Sequence, residues 1–171
     1  MEPVIVRPES PADRQKIRVL VTQTMRTNEA DLVDLIRESE NYIPDLALVA
    51  HEAEAVIGYA LFSHVALVDA TKRSVLALAP LCVRRDRQRC GVGTALVRAG
   101  LARAEAYRAP LVTVLGHPDY YRRFGFESSL RYWIEPPSDD IPAGVFMVKL
   151  LSGYNELFRG RVIYPPAFAV T

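Results

Sequence analysis

Leu81-Cys-Val-Arg-Arg-Asp-Arg-Gln-Arg-Cys-Gly-Val-Gly-Thr94 is the stretch on which the reading of this chain turns. An apolar segment ends at Val83, four arginines crowd the residues from Arg84 to Arg89, and a Gly-x-Gly follows at Gly91 and Gly93. Beyond it Leu96, Val97, Leu101 and Ala104 recur at helical spacing. The segment therefore reads as strand, basic loop, glycine turn, helix. Glycines at a helix start let an anion approach the N–H groups of the first turn, and the helix dipole adds to the attraction. Two nucleotide motifs fail here. A P-loop needs a lysine after its last glycine, and Thr94 stands there. A dinucleotide fingerprint needs a small residue at Leu96 and an acid about 20 residues on, where Leu111, Val112 and Thr113 lie. Alone, the Gly-x-Gly is no more than a tight strand-to-helix turn.

Working outward, three apolar runs precede the stretch: Leu46 to His51, Ala55 to Val68 and Ser74 to Val83. Short polar breaks at Glu52-Ala53-Glu54 and Asp69 to Arg73 predict antiparallel hairpin neighbours. Upstream, Val4 to Arg7 is a short β-prone run. Ser10-Pro11-Ala12-Asp13 then opens a helix carrying Ile17, Leu20, Val21 and Met25, and Thr27 or Asn28 opens a second with Leu32, Leu35 and Ile36. Downstream, Pro110 ends the helix begun at Gly91, Leu111 to Leu115 reads as a buried strand, and Pro118 to Arg123 as a helical turn. The last strands are expected at Arg131–Ile134 and Val145–Leu151, with a Pro/Asp-rich loop between them from Glu135 to Gly144. The order β-α-α-β-β-β-α-β-α-β-β predicts an α/β chain, α+β in character, with a mixed but mainly antiparallel central sheet and one β-α-β crossover.

The 171 residues suit one domain covering 1–171, with a C-terminal tail from about residue 152 to 171. Half the residues are hydrophobic and 24% charged, which argues against a disordered or fibrous chain. No apolar run reaches membrane-span length, and the opening MEPVIVRPES is not patterned as a signal peptide. Cys82 and Cys90 form no C-x-x-C, so neither a disulfide framework nor a metal site is expected, and a cytoplasmic setting is the simplest one. The net charge of +1 disfavours a nucleic-acid binder. Only Lys16, Lys72 and Lys149 are lysines, so 18 of the 21 basic residues are arginines. Most of that excess reads as compositional bias; the Arg84–Arg89 cluster is the exception that suits phosphate.

Gln88-Arg89-Cys90-Gly91-Val92-Gly93 resembles the Q/R-x-x-G-x-G/A acetyl-CoA loop of the GNAT N-acetyltransferase superfamily. Leu81-Cys82-Val83 resembles that family's L-x-V strand, and Tyr120-Tyr121-Arg122-Arg123-Phe124-Gly125-Phe126 its Y-x-[KR]-x-G-F element. Gly116 to Tyr121, with Tyr164-Pro165-Pro166-Ala167-Phe168 in the tail, looks most like the YhbS-like branch. The resemblance spans nearly the whole chain and implies a GNAT-like fold with a splayed central strand pair and flanking helices. It implies acetyl-CoA as co-substrate and transfer of its acetyl group, by direct attack in a ternary complex, to a primary amine. That amine belongs to a small molecule or a protein. Neither nucleic acid nor membrane is an implied partner, and a homodimer stays open. The loop departs from the commonest pattern: Arg89 stands where a small residue is usual, and Cys90 where a base is. Arg84, Arg85 or Arg89 are left to supply the phosphate charge.

By the resemblance, the pyrophosphate rests on backbone N–H groups from Arg89 through Cys90, Gly91, Val92 and Gly93 to Thr94. Pantetheine bonds the backbone of Leu81 and Val83, and an N–H near Cys82 polarises the thioester carbonyl. Tyr121, four residues before Gly125, is the candidate general acid for the departing thiolate, with Tyr120 next in line; packing beneath Phe124-Gly125-Phe126 is the alternative for Tyr121. Ser74 to Val83 holds no Asp, Glu or His to deprotonate the amine. His117, His64 and Glu52 remain as candidate bases, alongside a water chain with no dedicated base. A CoA-binding regulatory or sensor domain without turnover is the competing function.

Overall fold

A computed structural model of the protein describes residues 2–25 and 27–171. The chain gathers into two compact units, one from Met1–Ser63, Ala79–Arg103 and Ala167–Thr171, the other from His64–Leu78 and Ala104–Pro166. Strands β3 (Ala55–Val68) and β4 (Lys72–Val83) and helix α3 (Val92–Ala106) contribute residues to both.

In the first unit β1 (Val4–Pro8), β2 (Ala47–Glu52) and the start of β3 form an antiparallel meander. Its register runs from Val4↔Glu52 to Pro8↔Leu48 and from Ala47↔Leu61 to Glu52↔Ala55, with a bulge at Ala50/His51. Ala47 to Ala50 and Val56 to Phe62 are buried without alternation, the pattern of strands covered on both faces. Helix α1 (Arg14–Thr24) buries Ile17, Leu20 and Val21 of the stripe that the spacing predicts, while Met25 follows the helix end and is half-buried. The start signal acts one turn earlier, where Pro11–Asp13 form a 3₁₀ turn and Ser10 N–H donates to the Asp13 carboxylate at 2.7 Å. Helix α2 (Thr27–Arg37) is pinned by a buried ion pair, Arg37 to Glu9 at 2.6 Å. The Tyr42 and Tyr59 hydroxyls donate to the same carboxylate at 3.0 and 3.1 Å, so the buried charge is fully partnered.

In the second unit β5 (Leu111–Leu115) lies antiparallel to β8 (Phe146–Leu150), from Leu111↔Leu150 to Leu115↔Phe146. Strand β6 (Glu127–Ser128) pairs β8 from its other side. The parallel pairing of β4 with β5 comprises Leu76↔Val112 and Ala77↔Thr113, joined through α3, and the buried Thr113 hydroxyl donates to the Leu76 carbonyl at 3.1 Å. Helix α4 (Pro118–Arg122) follows β5. The mixed α/β chain with a mostly antiparallel sheet is thus as expected.

Two expectations near the C-terminus need correcting. Arg131–Ile134 is not a strand: Ser129–Tyr132 is a 3₁₀ turn, Trp133 takes a left-handed backbone at φ 59°, and only β7 (Ile134–Glu135) is extended. The cause is local, since Arg131 and the Tyr132 hydroxyl both reach back to the Glu127 carboxylate. The tail contains a strand that the sequence reading omits. This is β9 (Gly160–Ile163), antiparallel to the end of β3 through Ala66↔Ile163 and parallel to β7.

Candidate active site

The Leu81–Thr94 stretch lies in the first unit. Strand β4 ends at Val83, and the Arg84 N–H donates to the Ile57 carbonyl at 2.8 Å, which ties the start of the loop to β3. A 3₁₀ turn over Arg85–Arg87 follows. The chain then passes through two left-handed residues, Arg89 at φ 60° and Gly91 at φ 88°, before α3 begins at Val92. Gly91 is the residue best suited to that backbone; Arg89 holds it against the steric preference of an L-residue. At the start of α3 the Ala95 N–H donates to the Gly91 carbonyl at 3.0 Å, and the N–H groups of a helix's first turn point toward its N-terminal end.

The loop arginines are not equivalent. Arg84 bonds Asp86 at 2.6 Å, and Arg87 bonds Glu52 at 2.8 Å and Asp86 at 3.4 Å. These acids offset two of the four cations. Among the described residues neither Arg85 nor Arg89 has an ion pair, and both are exposed. The Gln88 side-chain amide donates to the Val83 carbonyl at 3.1 Å, so it closes the loop onto the strand end. Cys90 is exposed, and its thiol lies 3.4 Å from the Gln88 carbonyl. Cys82 is buried, and burial pushes its thiol up to about 11. A thiol so disfavoured as thiolate is a packing residue rather than a nucleophile.

Tyr120, Tyr121 and His117 lie together in the second unit. His117 caps α4, and its carbonyl accepts from the N–H groups of Tyr120 and Tyr121 at 3.1 and 3.2 Å. The Tyr121 ring is buried against Gly116, where an added Cβ would come within 2.6 Å of the ring, and meets Phe126 edge-on at 5.5 Å. Burial raises its pKa, and the neighbouring Tyr120 adds to the shift, so the phenol stays protonated at neutral pH. Tyr120 is half-buried beneath the Arg123 guanidinium, 4.7 Å from the ring centre. Burial raises its pKa too, but Arg123 opposes the shift. His117 is exposed.

The other two candidate bases are occupied. Arg87 hydrogen-bonds Glu52 and holds its carboxyl below the usual range, which makes it a weak proton acceptor. The His64 ring bonds Ser74 at 2.7 Å and Tyr107 at 2.9 Å, and burial lowers its pKa. What sequence reading missed is Arg161 on β9. Its guanidinium bridges Glu135 and Asp139 beside a cavity of about 290 Å³ in the second unit. No motif surrounds Arg161; the pairing of β9 with β3 and with β7, which sets it opposite Glu135, brings it there.

Comparison with known proteins gives these arrangements a relationship. Residues 44–128 match the model of the Acetyltransferase (GNAT) domain. The chain is 35% identical over 126 residues to YhbS of Escherichia coli, named as an uncharacterized N-acetyltransferase, across 72% of this chain and 74% of that one. It is also 35% identical over 118 residues to E. coli YjhQ, of the same description, covering 68% of this chain and just under two thirds, 65%, of that protein. In structure it superposes on E. coli YhbS crystallised with CoA, with a TM-score of 0.88 over 99% of this chain and 93% of that one at 29% identity. A Brucella melitensis GNAT acetyltransferase crystallised with acetyl-CoA gives a TM-score of 0.78 over 98% and 99% at 28% identity.

Proposed function

This chain belongs to the GNAT acetyltransferase family, and on that premise we propose that it moves an acetyl group from acetyl-CoA to a primary amine by direct attack. The amine nitrogen adds to the thioester carbonyl, the C–S bond breaks as the amide forms, and Tyr121 gives its proton to the departing thiolate. The Arg89–Thr94 backbone binds the pyrophosphate, Leu81 and Val83 bind the pantetheine arm, and the Cys82 region polarises the carbonyl. Arg85 and Arg89 supply the phosphate charge, since Arg84 and Arg87 already face acids of their own unit. The observation that carries this reading is the loop backbone: left-handed residues at Arg89 and Gly91 deliver the chain into the first turn of α3, with its N–H donors turned outward. The buried, protonated phenol of Tyr121 supports the proton-transfer step. His117, which caps α4 one turn before Tyr121, is the candidate for amine deprotonation, alongside a water chain with no dedicated base. A cytoplasmic setting belongs to the same proposal.

A CoA-binding domain without turnover is the second reading, favoured by the lack of Asp, Glu or His from Ser74 to Val83. A panel of amines with acetyl-CoA, read by thiol release, separates the two. Gly91→Val is the control: a β-branched residue at φ 88° blocks the cofactor's approach, and the acetyl-CoA-dependent rise in melting temperature should vanish. Absence of thiol release with every amine tested would leave the binding domain; an undiminished melting shift in Gly91→Val would reduce the turn to a structural element.

A further inference from the structure

The cavity in the second unit lies between the Glu135–Gly144 loop, the start of β8 and Arg161. Contacts within that unit connect it to Tyr121 through Gly116 and Val145. The Gly116 that the Tyr121 ring covers donates its N–H to the Val145 carbonyl at 3.1 Å, and the next residue, Phe146, lines the cavity opposite Leu115 of β5. Its volume of about 290 Å³ is at the small end of ligand pockets, the size for a single-ring molecule.

The lining is mixed. Leu130, Ile141 and Phe146 supply apolar surface. Arg161 Nη2 lies 2.9 Å from the Glu135 carboxylate and 3.0 Å from Asp139, while Nη1 donates to the Pro136 carbonyl at 2.9 Å. Both terminal nitrogens of the guanidinium are engaged. Two carboxylates against one guanidinium leave the charged part of the lining with one negative charge in surplus. An incoming carboxylate meets repulsion and an occupied arginine; a protonated amine meets attraction.

We propose that this cavity holds the body of the acceptor, and that the acceptor is a primary amine on an apolar aryl or alkyl group with no carboxylate beside it. The substrate class is thus an arylalkylamine rather than an α-amino acid. This rests on the reading of the chain as an acetyl-CoA-dependent N-acetyltransferase.

The test compares phenethylamine with phenylalanine, which share a ring and differ by one carboxylate. With acetyl-CoA saturating, kcat/KM should favour phenethylamine at least tenfold. In the Glu135→Gln/Asp139→Asn double variant Arg161 becomes an unpaired cation, and the ratio should fall at least tenfold or invert. Arg161→Gln, which keeps both carboxylates, should widen it, and its result stands whether or not the double variant folds. A wild-type ratio near one, or a ratio that neither variant moves, overturns the proposal. Binding of both compounds without acetyl-CoA, measured by calorimetry, separates the two layers. Selective phenethylamine binding with no thiol release from any amine supports the cavity assignment and overturns the transfer reading. Thiol release from other amines, with no phenethylamine binding, overturns the cavity assignment and leaves transfer standing.

Discussion

Replacing Arg89 by glycine should make the cofactor-free protein more stable and its cofactor binding weaker. Arg89 sits at φ 60°, where an L-residue pays roughly 1–2 kcal/mol relative to its right-handed alternatives. Glycine removes that strain but returns about 0.5–1 kcal/mol as extra freedom in the unfolded chain. The side chain is exposed and unpaired, so no native contact is lost to offset the gain. The net is a stabilisation of about 0.5–1 kcal/mol, or roughly 1–4 °C in melting temperature for a chain of this size. Affinity moves the other way. Losing a surface cation beside a phosphate should raise the acetyl-CoA Kd roughly fivefold at moderate ionic strength, and less at high salt. Arg89→Ala separates the terms: it loses the charge but keeps the backbone strain, so its affinity should fall as far while its melting temperature stays near wild type. Its loss should also be larger for CoA than for pantetheine fragments without the nucleotide. Calorimetry and thermal melts at two salt concentrations supply every number. A less stable Arg89→Gly protein refutes the strain argument, and unchanged affinity in both variants refutes the phosphate role.

Tyr121→Phe should leave acetyl-CoA affinity intact and lower kcat by about 10²-fold, with Tyr120→Phe costing far less, measured with a screened amine well above its pKa. Slower turnover in Tyr120→Phe than in Tyr121→Phe would transfer the acid role to Tyr120. The Asp13 carboxyl is held well below its usual range, chiefly by hydrogen bonding from Arg7, and also by the Ser10 N–H and hydroxyl. Its contribution is therefore complete above the unfolded-state value near ~3.9 and lost as pH falls below it. Asp13→Asn should destabilise by about 1 kcal/mol at pH 7, discounted because Arg7 is partly exposed, and flatten the acid limb of stability against pH. Cys90 should react with a disulfide reagent within minutes in the folded protein, while buried Cys82 should wait for unfolding; equal rates would refute the burial of Cys82.

The loop, the helix after it and the hairpin strands before it were legible because their information is local. Gly91 sits where a left-handed turn must precede α3, and Ile17, Leu20 and Val21 mark a helix face whatever packs against it. The strain at Arg89 was legible too, from its departure from the usual small residue. Arg131–Ile134 misled because four residues rich in aromatic and β-branched types look like a strand, while the contacts of Arg131 and Tyr132 with Glu127 decide for a turn. Which loop arginines remain unpaired was not legible, since Glu52 reaches Arg87 across 35 residues of sequence.

By itself, then, the sequence determined the α/β order as far as α4, the glycine turn and the paired tyrosines, all set by spacing along a few consecutive residues. Tertiary structure alone decided which tyrosine is buried, which arginines are already neutralised, and how Arg161 meets Glu135 and Asp139 at the cavity wall. Desolvation and charge pairing depend on neighbours that strand pairing brings from far along the chain, and no local pattern encodes them.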